Sequence, residues 1–238
     1  MKRRVYLKAC VFSDTENFAA RTNSDTDGIS AMCIYVLEKL AVLCSGSLPK
    51  NAPLFFGSAY SSLKSLHTFN CVCEREGALA VNPRLFPRAV LNAPSCRAGI
   101  EMRITEPVYN IMNGEASEFS ALMLASAFIG NGTAESAVVC TAEECCGIAA
   151  SLEGGQFTDR CGALLLTAAP AEWEWISACS DSTAVSEVQG CRSVGLTGEL
   201  MRQTSVLTNT AKNTHAGIYT LKAVGREAVY MVELLKRH

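Results

Sequence analysis

The 238 residues are about half apolar, enough to bury one sizeable core, and 21 basic against 23 acidic side chains leave a formal net charge of −2. That balance excludes the broad positive footprint of a nucleic-acid-binding chain. The opening Lys2-Arg3-Arg4 is followed by VYLKACVF, which Lys8 interrupts and which is too short for a secretory leader or a membrane span, so the expectation is a cytoplasmic protein without membrane insertion.

In chain order, RVYLKACVF has the β-branched and aromatic content of a strand and runs into the turn-rich SDTENFAARTNSDTDG. Residues 29–44 carry apolar positions at helical spacing, with Glu38 and Lys39 outward. PLFFGSA reads as a short buried strand ending at Gly57, LKSLHTFNCVCERE as a helix, and NPRLFPRAVLNAP as irregular chain with at most one helical turn. PVYNIM is a strand, and 115–130 an apolar helix (Phe119, Leu122, Met123, Leu124, Phe128, Ile129) expected to be covered on every side at the centre of the molecule. SAVVCTAEE, CGALLLTAA and EWEWISACS are further strands, and HAGIYTLKAVGREAVYMVELLK is expected to be the last long helix. Strands alternating with helices predict an α/β layered fold around a buried sheet.

The twelve cysteines sit mainly in apolar segments (Cys33, Cys44, Cys140, Cys179) and form no CxxC pair. Cys71 and Cys73 are one residue apart and Cys145 and Cys146 adjacent, spacings that do not suit zinc. Reduced thiols packed as small hydrophobes are expected. With three histidines, one the terminal His238, no metal site is expected, nor any cofactor. Asp25 and Asp27 stand at calcium-loop spacing without the rest of the loop and read as a solvated turn. Trp173 and Trp175, alternating with Glu172 and Glu174, suggest an edge or half-exposed strand with one aromatic face. GNGTAE is a turn rather than a phosphate loop, and its Asn131-Gly132-Thr133 has the form of a glycosylation acceptor without a secretory signal to accompany it.

Residues 80–168 carry more than periodicity. MKRRVYLKACVFSD resembles the opening strand of a β-ketoacyl synthase of the thiolase superfamily, and the stretch from NPRLFPRAVLNAP to TAEE is similar to that family's central block. Asn92, Ala116, Ser117, Ala121, Ala125, Ile129, Gly132 and Ala134 occupy matching places, and Glu143 or Glu144 matches a late glutamate. The resemblance implies a thiolase-like layered fold, abridged in its second half, with a buried central helix. It spans residues 1–238 as a single domain, best matched over 1–168, with 169–238 as abridged C-terminal strands and helix.

The resemblance also places the family's nucleophilic cysteine on Glu115, in the turn Gly114-Glu115-Ala116-Ser117. No cysteine lies between Cys96, read as preceding an extended segment, and Cys140, read as a strand interior. Of the family's late Lys and His segments, Lys212 is in place, but His215 falls two or three residues early and Gly217 or Ile218 stands where the histidine belongs. The histidine pair that decarboxylates a malonyl thioester is therefore not expected to form.

Three readings of Glu115 follow. It is an N-terminal helix cap, held ionised by the helix dipole; or a nucleophile, in an acyltransferase or malonyl decarboxylase that passes through a mixed anhydride; or the mark of a chain-length-factor-like subunit, since those relatives carry Gln at this place. On the last reading Phe119 and Met123 are candidates for lining an acyl tunnel. The partners implied are a second copy or an active ketosynthase, joined through the strand EPVYNIM, and an acyl carrier protein. A purely structural interaction protein is the remaining alternative.

Overall fold

The computed structural model describes residues 3–14, 26–152, 158–181, 199–209, 216–224 and 229–236. Its frame is one eight-stranded sheet built from β1 (Val5–Ser13), β2 (Leu54–Gly57), β3 (Val108–Ile111), β4 (Ser136–Glu143), β5 (Arg160–Thr167), β6 (Trp173–Asp181), β7 (Gly217–Val224) and β8 (Val229–Lys236). The order across the sheet is β3-β2-β4-β5-β1-β6-β8-β7. β2 runs parallel to both β3 and β4, and the remaining neighbours are antiparallel.

The helices are α1 (Gly28–Leu43), α2 (Leu63–Glu76), α3 (Phe86–Ala89), α4 (Ala93–Glu101), α5 (Ser117–Gly130), α6 (Gly147–Leu152) and α7 (Glu199–Asn209). Successive strand residues point to opposite faces, and this sorts the core into two layers. Leu54, Phe56, Val138, Cys140, Ala163 and Leu165 meet α1 and α4 on one face. Phe55, Val139, Leu164 and Leu166 meet α5 and α7 on the other. A sheet covered on both faces explains why LFFG and SAVVCTAE are buried at every residue rather than alternately. α1 starts cleanly because the Asp27 carboxylate accepts the Ser30 amide at 3.0 Å.

Four expectations are corrected. Within the stretch expected to be the last long helix, residues 217–224 and 229–236 are the antiparallel strands β7 and β8. Tyr230, Val232 and Leu234 point alternately into the core, and β6 pairs with β8 along its length. An apolar run of this kind is ambiguous by periodicity, and the neighbouring strand decides it. α5 is covered on one side only: Ala121, Leu122, Ala125 and Ile129 are buried, whereas Met123 and Leu124 are each 38% exposed. Cys96 lies inside α4, which Pro94 opens, not before extended chain. Trp173 and Trp175 belong to an interior strand between β1 and β8. Trp173 is buried, its ring edge-on to Tyr219 at 5.4 Å and beneath the Lys236 ammonium.

Two close approaches set the layer spacing on the α5/α7 face. A Cβ on Gly57 would stand 2.6 Å from the Ser117 carbonyl oxygen, so α5 rests directly on the backbone at the end of β2. A Cβ on Gly162 would stand 2.8 Å from Met201 Sδ, which does the same for α7 over β5. Replacing Gly57 by Ala is expected to lower the unfolding free energy by about 1–3 kcal/mol through overpacking. Urea denaturation checks this, and an unshifted midpoint would contradict the contact.

Candidate functional site at the β3–α5 turn

The chain leaves β3 at Ile111 and enters α5 at Ser117 through a five-residue turn. Gly114, at φ +51°, takes the left-handed conformation that reverses the chain. The Ala116 and Ser117 amides donate back to the Asn113 and Gly114 carbonyls at 3.0 and 3.2 Å. The fully buried Ser117 hydroxyl accepts the Asn113 amide at 2.9 Å and donates to the Gly114 carbonyl at 2.6 Å. Asn113 Nδ2 donates to Ser120 Oγ at 3.0 Å. One hydroxyl therefore closes the turn from inside and presents Glu115, half-buried, at its outer rim.

This geometry revises the capping expectation. The helix N-cap is Ala116, which makes no side-chain capping bond, and Glu115 stands one residue before it. The carboxylate in the first turn is Glu118. It is buried, and its Oε1 accepts the Met201 amide at 2.9 Å, so a glutamate of α5 caps the start of α7. The only sequence signal for Glu118 was an acid within an otherwise apolar helix.

Glu143 ends β4 and is wholly buried. Its carboxylate accepts the Ala59 and Tyr60 amides, the latter at 3.1 Å, and so ties down the loop that follows Gly57. Glu144, next along, points the other way and pairs with Lys64 at 2.6 Å. The resemblance left the late glutamate open between these two. The structure gives Glu143 the inward place behind the turn, one hydrogen bond from the β2 loop whose Ser58 amide meets the Ile111 carbonyl at 3.3 Å. Burial pushes the Glu143 carboxyl up to about 7, against the opposing pull of the Ala59 amide, the Arg160 guanidinium, the Tyr60 amide and Ser58.

The other residues singled out from the sequence disperse. Phe119 is partly buried and faces the core, 5.2 Å from the Tyr230 ring, whereas Met123 faces out. Asn92 precedes α4 with its Nδ2 3.5 Å from Cys96 Sγ. Cys140 is a core residue of β4. Lys212, His215 and Asp25 lie outside the described residues. Asp27 serves as the α1 cap, and its second oxygen accepts the Ser65 hydroxyl at 3.1 Å.

No protein-family model matches the sequence, and no curated protein sequence does so. Solved structures do match in shape. The ishigamide ketosynthase/chain length factor superposes with a TM-score of 0.76 at 16% identity, over 93% of this chain and 85% of that one. A ketosynthase in complex with its chain length factor from Xenorhabdus doucetiae gives 0.62 at 14% identity, over 92% and 79%. A type II polyketide acyl-carrier protein complex with its ketosynthase bound to the hexaketide gives 0.80 at 9% identity, over the whole of both chains. The fold is thus the thiolase-like fold of the ketosynthases.

Two measurements test the site's wiring. A Glu143 carboxyl raised from 4.5 to about 7 binds more protons in the folded state, so its contribution to stability is greatest below about 4.5 and is lost as pH rises to about 7. The unfolding free energy of the native protein relative to Glu143→Gln should therefore fall across that window, as chemical denaturation at a series of pH values would record. Glu118→Ala should cost about 1–3 kcal/mol by leaving the Met201 amide without its acceptor. Glu118→Gln, which keeps a carbonyl oxygen, should cost less in the same measurement.

Proposed function

We propose that this chain is a non-catalytic, chain-length-factor-like subunit that pairs with an active ketosynthase in polyketide or fatty-acid assembly. One observation carries the reading: the β3–α5 turn keeps its left-handed glycine, its buried serine clasp and its helix, yet presents Glu115 where the resemblance places a cysteine. A carboxylate there lacks the thiolate's nucleophilicity toward a thioester. The likeness to ketosynthase/chain length factor structures is the supporting context.

The pairing surface follows from the sheet. Among the described residues β3 is its outermost strand and bonds on one side only, to β2. Beside it α5 leaves Met123 and Leu124 open, and the Tyr109 and Phe128 rings meet at 5.3 Å between strand and helix. An unpaired edge next to exposed apolar side chains is a liability unless a second chain covers it. The subunit accordingly dimerises through β3, with an active synthase or with a second copy of itself, and works as one cytoplasmic domain of 238 residues beside an acyl carrier protein.

The test is reconstitution. The isolated protein, given acyl and malonyl carrier-protein thioesters, should yield neither a ketoacyl product nor an acyl-enzyme mass shift. An adduct mapped to Glu115 or Ser117 would overturn the reading in favour of an enzyme. In the reconstituted pair, Met123→Trp should shorten the product distribution without abolishing product, because Trp adds bulk on the face that meets the partner. Unchanged product lengths from Met123→Trp and Glu115→Gln, with the pair intact by light scattering, would remove the chain-length role.

A further inference from the structure

A cleft of about 510 Å³ opens between the N-terminus of α1 and the α3–α4 segment, away from the β3–α5 turn, and its walls hold Arg84, Arg88 and Arg97. Arg84, Arg88 and Arg97 line this space with one acidic residue, Asp27, in a chain whose formal net charge is −2. That carboxylate is already committed, one oxygen to the Ser30 amide and the other to the Ser65 hydroxyl. Among the described residues no carboxylate pairs with Arg84 or Arg88, and Arg97 meets Glu101 only at 3.8 Å. The Arg97 Nε–H is moreover sealed from solvent with no acceptor. An unpaired donor in that position carries a desolvation cost, and gathering three cationic side chains around one space carries an electrostatic one. A bound polyoxyanion removes both penalties at once, because each fork offers paired N–H groups that match phosphate oxygens. The cleft is also larger than a bare ion needs and lies within the size range of small-molecule sites, roughly 300–1,000 Å³. Ile100, 72% exposed, adds an apolar wall.

We infer that this cleft binds a small-molecule phosphate ester, its phosphate held by Arg84, Arg88 and Arg97 and its organic part lying along Ile100. The inference does not depend on the partner-subunit reading, since it concerns the isolated chain and involves no thioester. The test is isothermal titration calorimetry of the intact protein with adenosine monophosphate, inorganic phosphate and citrate. Adenosine monophosphate should bind saturably, more tightly than inorganic phosphate and than citrate, and less tightly as salt is raised. Arg84→Ala, at an exposed position, and Arg97→Lys, which keeps the charge but loses the fork, should each weaken binding about tenfold or more, with folding verified by circular dichroism. No heat with adenosine monophosphate at millimolar concentration, equal affinity for citrate or for inorganic phosphate, or affinity unchanged in both variants would each overturn the site as proposed.

Discussion

The contact between Gly57 and the first turn of α5 is the constraint on which the rest of the site depends. Because β2 ends in a residue without a side chain, the Ser117 carbonyl can lie against its backbone, and α5 begins directly over the parallel strands β2, β3 and β4. A larger residue would lift the helix, and the turn before it would lose its register with Ile111 and Ser58. The Ser117 hydroxyl then closes the turn, and Glu143 holds the loop after Gly57 from the opposite strand. These are polar contacts in which one partner, Ser117 or Glu143, is buried, and a buried polar group is costly to leave unpaired.

Two of the buried glutamates resolve that cost differently. Glu118 spends its oxygen on an amide at the head of α7 and so couples the two helices on one face of the sheet. Glu143 answers to two successive amides of a single loop, yet burial still dominates and raises its carboxyl toward neutrality. The frame around the turn is thus held in part by buried carboxylates that accept backbone amides.

The sheet also accounts for where the surface is open. β4 and β5 are paired on both sides and covered by α1 and by α5 and α7 on their two faces, while among the described residues β3 at one end has only β2. The apolar face of α5 that the sheet does not cover lies beside that free edge, so one region combines unpaired backbone with exposed methionine and leucine side chains. The arginine-lined cleft is separate in character: it is built from the start of α1 and the α3–α4 segment.

Much of the fold was legible in the sequence, because burial leaves a signal wherever a segment is short and bounded. LFFG, SAVVCTAE and RCGALLLT are continuous apolar runs between turn residues, and such runs read as strands whatever packs on them. The position of Glu115 in a turn before a helix was likewise determined locally, by Asn113-Gly114 followed by an apolar stretch. Tertiary structure alone decided three things. Residues 217–224 and 229–236 became paired strands because β6 offered a row of backbone partners that periodicity cannot reveal. α5 was apolar all round in sequence but buried on one side, since hydrophobicity says that a face must be covered and not by which chain. Among four glutamates near the turn, only three-dimensional neighbours distinguished Glu118 and Glu143, which meet backbone amides in the interior, from Glu144, which is buried but meets the Lys64 ammonium, and from the half-buried Glu115; a carboxylate's role is set by the donors that folding brings within hydrogen-bond reach.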